Sequence, residues 1–255
     1  MNRLLGVLLL VLCTPAPASD LARENRWAAE IADSIMTGDV EYLDADGHRF
    51  LALYTPAASD PAKGAVIVVH GSGVHPNWPE VVYPLRTGLA EHGWATLSLQ
   101  MPVLAADASG KDYFPVLDEV PPRMEAALAF LREQGFEHAI VVAHSLGSLM
   151  STYWLSHAQP SAVSAFAGIG MTDASNGADE SVVAYLKKIR TPVLDLYGEH
   201  DLPGVMAQAA DRAAATGVAG GTLTQVQTPG ANHFYQGKEA ELVQTLLQWL
   251  EELPR

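Results

Sequence analysis

A serine at a sharp turn, a histidine and a carboxylate could together give this 255-residue chain acyl-transfer chemistry. Ser145 stands in Ala143-His144-Ser145-Leu146-Gly147, after the apolar run Ala139-Ile140-Val141-Val142 and before a helix-forming stretch. A serine hydroxyl is a weak nucleophile until a base takes its proton. A small-X-Ser-X-Gly turn between strand and helix is the context of a nucleophile elbow, which holds the hydroxyl above the sheet in a strained backbone conformation. The residues two before and two after must be small, and here they are Ala143 and Gly147, with alanine where glycine is usual. Serine between small residues can also simply cap a helix. The strand that ends at the turn favours the elbow.

The base expected for Ser145 is His233, in Gly230-Ala231-Asn232-His233-Phe234 after the last strand. Imidazole ordinarily titrates near neutrality, which suits a base toward the serine and an acid toward the leaving group. Such a base needs a carboxylate to fix its tautomer and to stabilise the imidazolium. Asp201, in Gly198-Glu199-His200-Asp201, gives the order serine, acid, histidine. Glu199 and Asp173 are rivals for that role, and Asp195, inside a strand, reads as structural. The loop His70-Gly71-Ser72-Gly73 follows an earlier strand, and its glycines let backbone N–H groups approach a ligand closely. An oxyanion hole needs two such donors, assigned here to Ser72 and Leu146, with Gly73 the alternative in the loop. His70 reads as a residue holding the loop, and Ser72 has no elbow of its own.

The elements that must position these groups follow from periodicity. Leu21 to Met36 has helical spacing, and Asp44-Ala45-Asp46-Gly47 is a hairpin turn between Val40–Leu43 and Arg49–Tyr54. Strands are expected at 65–69, 94–99, 139–143, 162–167, 192–197 and 221–227. Helices are expected at 81–92, 122–134, 146–157, 181–189, 204–216 and 239–253. About eight strands, with βα alternation after the hairpin, specify an α/β fold whose mostly parallel sheet carries helices on both faces. In such sheets functional groups gather beyond the carboxyl ends of the strands, where all the candidates lie. The loops 107–118 and 172–179 are the polar segments expected to line a mouth.

With these residues in this order, the chain resembles the α/β-hydrolase superfamily from about Ala65 to its end. The motifs that carry the resemblance are His70-Gly71-Ser72-Gly73, Ala143-His144-Ser145-Leu146-Gly147, Gly198-Glu199-His200-Asp201 and Gly230-Ala231-Asn232-His233. Val74-His75-Pro76-Asn77-Trp78-Pro79, Pro84-Leu85-Arg86 and Gly93-Trp94-Ala95-Thr96-Leu97-Ser98 resemble an exported bacterial branch of it. The resemblance implies the α/β-hydrolase fold and a serine-hydrolase mechanism, and names no substrate.

Composition bounds the rest. With 49% hydrophobic residues, 19–255 reads as one domain, in which 19–38 is an N-terminal helical extension. Residues 1–18 read as a secretory signal peptide: Asn2 and Arg3, the apolar run Leu4–Cys13, then Ala16-Pro17-Ala18 as the cleavage signature before Ser19. The run is too short to span a bilayer. A lipoprotein attached through Cys13 is disfavoured because bulky Leu12 precedes it where processing takes a small residue. Cys13 is the only cysteine, so the processed chain has no disulfide and no cysteine nucleophile. The net charge of −14 becomes −15 once Arg3 is removed, which argues against nucleic acid and anionic membranes as partners.

The expected partner is a small acyl substrate, with a carboxylic ester or thioester as default and a periplasmic or secreted setting. His75, Trp78, Tyr113, Phe114, Met171 and Phe234 are candidates for an apolar acyl pocket, though each could equally be a packing residue. The short span between the strand ending near Ala167 and the helix near Ser181 leaves no room for a large cap. No paired histidine spacing suggests a metal, and no glycine-rich phosphate fingerprint is present, so no cofactor is expected. An acyltransferase with the same triad, or a non-catalytic binding protein on a hydrolase scaffold, are the alternatives.

Overall fold

The computed structural model describes residues 19–253, so the leader motifs Leu4–Cys13 and Ala16–Ala18 lie outside the described residues. Eight strands form one sheet: β1 (Asp39–Ala45), β2 (His48–Thr55), β3 (Gly64–Val69), β4 (Trp94–Leu99), β5 (Ala139–His144), β6 (Val163–Ile169), β7 (Val193–His200) and β8 (Leu223–Asn232). Their spatial order is β1-β2-β4-β3-β5-β6-β7-β8. β1 and β2 are an antiparallel hairpin, turned at Asp46-Gly47, that joins β4 antiparallel. From β4 to β8 every pairing is parallel. Parallel strands covered on both faces read as unbroken apolar runs, as Ala65–Val69 and Ala139–Ala143 do.

The pleat sends alternate residues to different layers. Ala65, Ile67, Val69, Ala139, Val141 and Ala143 face one core, which α3 (Val120–Glu133), α4 (Leu146–Ala158) and α5 (Val182–Leu186) close. Val66, Val68, Ile140 and Val142 face the opposite core, which α2 (Val82–Glu91) and α8 (Glu239–Glu252) cover. α1 (Leu21–Ser34) packs Ala28 and Ile31 on Leu51 and Leu53 of β2. Its N-cap is Asp20, whose side chain accepts from the Arg23 amide.

Four elements differ from the sequence expectation. β8 continues through Pro229 and Gly230 to Asn232, because a register shift after Gly198 lets His200 pair with Asn232. Residues 110–119, expected as a polar loop, form a 3-10 helix with a capping box between Ser109 and Asp112. The single helix expected over 204–216 is divided at Gln208 into α6 (Pro203–Ala207) and α7 (Ala209–Ala215). α5 spans only Val182–Leu186, within the helix expected over 181–189. Residues 170–181, between β6 and α5, hold one isolated bridge from Ser175 to Ser181 and no inserted domain.

Candidate active site

β5 is buried along its whole length and ends at His144; α4 begins two residues later, at Leu146. Ser145, between them, has φ 52° and ψ −122°. For a residue with a Cβ this is sparsely populated backbone that survives only where its surroundings over-determine it. Here the Ser145 amide donates to Ile169 O at 2.8 Å, and its carbonyl accepts from the Ser148 amide at 2.9 Å. The small neighbours have spatial causes. A Cβ on Gly147 would lie 2.4 Å from His70 O and 2.9 Å from Val69 O. Ala143 is paired between Val69 and Gly168 and fully buried. The Ser145 side chain makes no capping hydrogen bond to α4. Its Oγ lies instead 3.0 Å from His233 Nε2.

His233 follows β8 directly, and its Nδ1 lies 2.6 Å from Asp201 Oδ1. An ionised carboxylate only accepts, so Nδ1 carries the proton and Nε2 presents its lone pair to the serine hydroxyl. Asp201, just past β7, is fixed by the Gly198 amide on Oδ2 at 3.1 Å and the Leu202 amide on Oδ1 at 2.8 Å. Burial alone would raise its pKa. The His233 hydrogen bond and charge and the two amides outweigh that and hold the carboxyl below its usual range.

Neither rival acid, Glu199 or Asp173, hydrogen-bonds to His233, whose Nδ1 meets Asp201. Glu199 is exposed and accepts from the Gly230 amide at 2.8 Å. Asp173 lies against Gly204 at the start of α6, where a Cβ would fall 1.8 Å from its Oδ2. Asp195 is fully buried, 2.9 Å from Arg212 Nε, and takes a second bond of 2.8 Å from Gln225.

Gly170 has no place in the sequence motifs, yet it shapes the site. It follows β6 at φ +54°, and a Cβ there would lie 2.9 Å from His233 Nδ1 and 3.2 Å from Asp201 Oδ2. The absent side chain is the room the imidazole occupies. A lone glycine after a strand carries no signal of this. His144 is another residue the motifs did not assign. It is buried, with Nε2 3.0 Å from His233 O; a carbonyl only accepts, so Nε2 bears its proton. Burial, then the neighbouring His233, push its pKa down to about 4, so it is neutral, with its ring 4.8 Å from that of His233.

The loop after β3 is pinned from below. His70 is fully buried, and its Nε2 accepts from the Met101 amide at 3.0 Å. Nδ1 must then be the donor, to Gly71 O at 2.7 Å. Burial pushes the His70 pKa down to about 3, so it stays neutral and holds this tautomer. A Cβ on Gly71 would come 3.1 Å from Ser145 Cβ, so the loop backbone runs directly beside the serine. Ser72, next in the loop, is exposed, and Gly73 turns at φ +67°. Leu146 supplies the first amide of α4, and first-turn amides have no partner within their own helix.

The acyl-pocket candidates divide. Tyr113 and Met171, 1% and 0% exposed, belong to the core, so neither lines an open pocket. The Tyr113 hydroxyl accepts from the Leu104 amide at 3.2 Å, and Met171 fills the space beside Gly168. Residue type suggested a pocket at these two positions; the packing uses them as filler. Phe114 is partly buried against the same core. Phe234 is 39% exposed, with its ring 5.1 Å from that of His233. His75 and Trp78 meet edge to face at 5.6 Å, and Trp27 of α1 joins His75 at 5.4 Å. Trp27 was hidden because nothing in the sequence indicates where α1 docks.

Among the described residues no group of three or more His, Cys, Asp or Glu could hold a metal ion, and no helix is long and apolar enough to cross a membrane.

Residues 13–113 match a family described as "Protein of unknown function (DUF3530)". No curated protein matches the chain. Among solved structures it is similar to dienelactone hydrolase from Anabaena variabilis, with TM-score 0.70 and 18% identity over 85% of this chain and 98% of that one. It is similar to Est1E from Butyrivibrio proteoclasticus, with TM-score 0.65 and 16% identity over 84% and 98%. A Xanthomonas campestris protein described as an a/b serine hydrolase without lid gives TM-score 0.62 and 15% identity over 87% and 98%. Sheet order, helix layers and these likenesses agree: the chain has the α/β-hydrolase fold.

Proposed function

We propose that this protein is a serine hydrolase that cleaves a carboxylic ester or thioester through an acyl-serine intermediate. The observation that carries the reading is the continuous chain of hydrogen bonds from Asp201 through His233 to Ser145, at 2.6 and 3.0 Å. Ser145 Oγ attacks the acyl carbon as its proton passes to His233 Nε2. The tetrahedral oxyanion is received by the backbone N–H groups of Leu146 and Ser72. His233 then gives the proton to the departing alcohol or thiol. Water, deprotonated by the same Nε2, attacks the acyl-serine; collapse breaks the acyl–Oγ bond, returns that proton to Ser145 Oγ and releases the acid. Asp201 stays ionised throughout and balances the imidazolium.

The short 170–181 connection supports an open site for small acyl substrates, with the Phe234 ring beside His233 as its apolar neighbour. The names of the dienelactone hydrolase and of an esterase domain from Rhodothermus marinus point to the same class of bond. Ala16-Pro17-Ala18 supports export, with a periplasmic or secreted mature chain.

The test is turnover of p-nitrophenyl esters of graded chain length by the purified mature chain. Ser145→Ala loses about 10⁴-fold or more of kcat while keeping the native circular dichroism spectrum. Near-normal turnover in that variant would refute the assignment. Adding an alcohol acceptor separates hydrolysis from acyl transfer by the product formed.

A further inference from the structure

At the start of α1 lies a buried ionic cluster that the proposed chemistry does not use. Glu24 of α1 and Arg123 of α3, 3% and 1% exposed, are paired through Nη1 at 2.9 Å and Nη2 at 3.2 Å. The same Nη1 donates to Gln100 O at 2.8 Å, and Nη2 lies 3.5 Å from Glu119 Oε2. Glu119 is therefore a second carboxylate sharing a guanidinium already committed to Glu24. Its two oxygens turn to one residue: Oε1 accepts from Ser19 N at 2.9 Å and Oε2 from Ser19 Oγ at 2.6 Å. Ser19 is 7% exposed. It sits in a groove of about 300 Å³ that Asp46, Asp118, Glu119, His48 and Arg123 also line.

We infer that Glu119 is the docking site for the protein's own processed N-terminus, an α-ammonium created at Ser19 by cleavage of the Ala18–Ser19 bond. Water adds across that peptide bond under an endopeptidase of the export apparatus, leaving a carboxylate on Ala18 and an ammonium on Ser19. An amide N–H at Ser19 leaves Glu24 and Glu119 facing one guanidinium and His48, whose Nε2 is 3.5 Å from Glu24. The ammonium adds the missing cation, and the existing 2.9 Å contact becomes a charge-assisted hydrogen bond. Charge balance matters most where groups are withdrawn from water. The Oγ contact accounts for a serine, rather than any small residue, at the new first position. The consequence is that processing anchors the start of α1 to the start of α3. The inference rests on the export reading for the place of the cut and not on the proposed hydrolysis.

The experiment expresses the full chain with its leader in a bacterial host and determines the first residue of the exported protein by intact mass and N-terminal sequencing. Ser19 is expected. The α-amino group, labelled by ¹³C reductive methylation and titrated by NMR, should ionise above the usual range of roughly 7.7–8.0, and should fall back into it in Glu119→Gln. A form retaining Ala18 carries its ammonium one residue away and keeps Glu119. It should melt about 3 °C lower, and Glu119→Gln should then cost it little more. A first residue other than Ser19, an acylated Cys13, or an α-amino pKa indifferent to Glu119→Gln would overturn the inference. Fluorophosphonate labelling of Ser145 is unaffected by any of these results, so the hydrolase reading stands or falls separately.

Discussion

Replacing Gly170 by alanine puts a methyl group into the space that the His233 ring occupies. The new Cβ would lie 2.9 Å from Nδ1, 3.0 Å from Cε1 and 3.2 Å from Asp201 Oδ2. Relief to ordinary van der Waals contact requires the ring to move by roughly 0.5 Å. The Ser145 Oγ to His233 Nε2 distance is 3.0 Å, at the long end of hydrogen bonding, so a shift of that size along the contact breaks it. Misplacement on this scale costs about 10- to 100-fold in rate. The backbone adds its own cost, because φ at this position is +54° and alanine there is strained by about 1 kcal/mol, worth roughly 2–4 °C in Tm. Gly135→Ala separates the two effects, since Gly135 has φ +92° and nothing within 4 Å of a Cβ. Both variants should melt a few degrees below the parent, and only Gly170→Ala should lose kcat/KM on a p-nitrophenyl ester. A folded Gly170→Ala with parental kcat/KM would refute the claim that this glycine makes room for the imidazole.

Asp201→Asn should cost about 10⁴-fold in kcat, because an amide facing Nδ1 no longer holds the right tautomer. Glu199→Gln and Asp173→Asn, whose carboxylates lie elsewhere, should stay within a few-fold of the parent, and equal losses in all three would remove Asp201 from its role. Acid should destabilise the fold through its buried neutral histidines. His70 and His144 have folded pKa values near 3 and 4 against about 6.5 unfolded, so the unfolded chain gains protons first as pH falls. Stability is then lost between about pH 6.5 and 4 at roughly 1.4 kcal/mol per pH unit for each histidine. Urea melts from pH 7 to 4.5 should show His70→Gln reducing that slope by one histidine's share, and an unchanged slope would contradict the account. Arg212→Met leaves Asp195 buried without its cation and should cost about 3–5 kcal/mol. Adding Asp195→Asn should recover much of that loss in denaturant unfolding, and no recovery would mean the loss is not electrostatic.

The parallel sheet was legible in the sequence because burial on both faces forces continuous apolar strands such as 65–69 and 139–143, and Asp46-Gly47 marked the hairpin. The turn at Ser145 could be read because its steric demands fall on sequence neighbours, Ala143 and Gly147. What could not be read depends on residues distant in the chain. Gly170 matters through its closeness to His233 and Asp201, brought there by β7 and β8. Pro229 and Gly230 have the composition of a loop, yet the register shift opposite Gly198 keeps them in β8. Tyr113 and Met171 have the side chains of a substrate pocket and the positions of core residues, since residue type does not tell which side of a wall a side chain faces. Choosing among Asp201, Glu199 and Asp173 needed the hydrogen bonds themselves.

The most direct test of the central claim is reaction of the mature protein with a fluorophosphonate, followed by peptide mapping. Such a probe modifies a serine that a neighbouring base has activated. One modified residue, Ser145, is expected, with labelling lost in His233→Ala and slowed in Asp201→Asn. A folded protein that is not labelled, or is labelled at Ser72 or elsewhere, would contradict it.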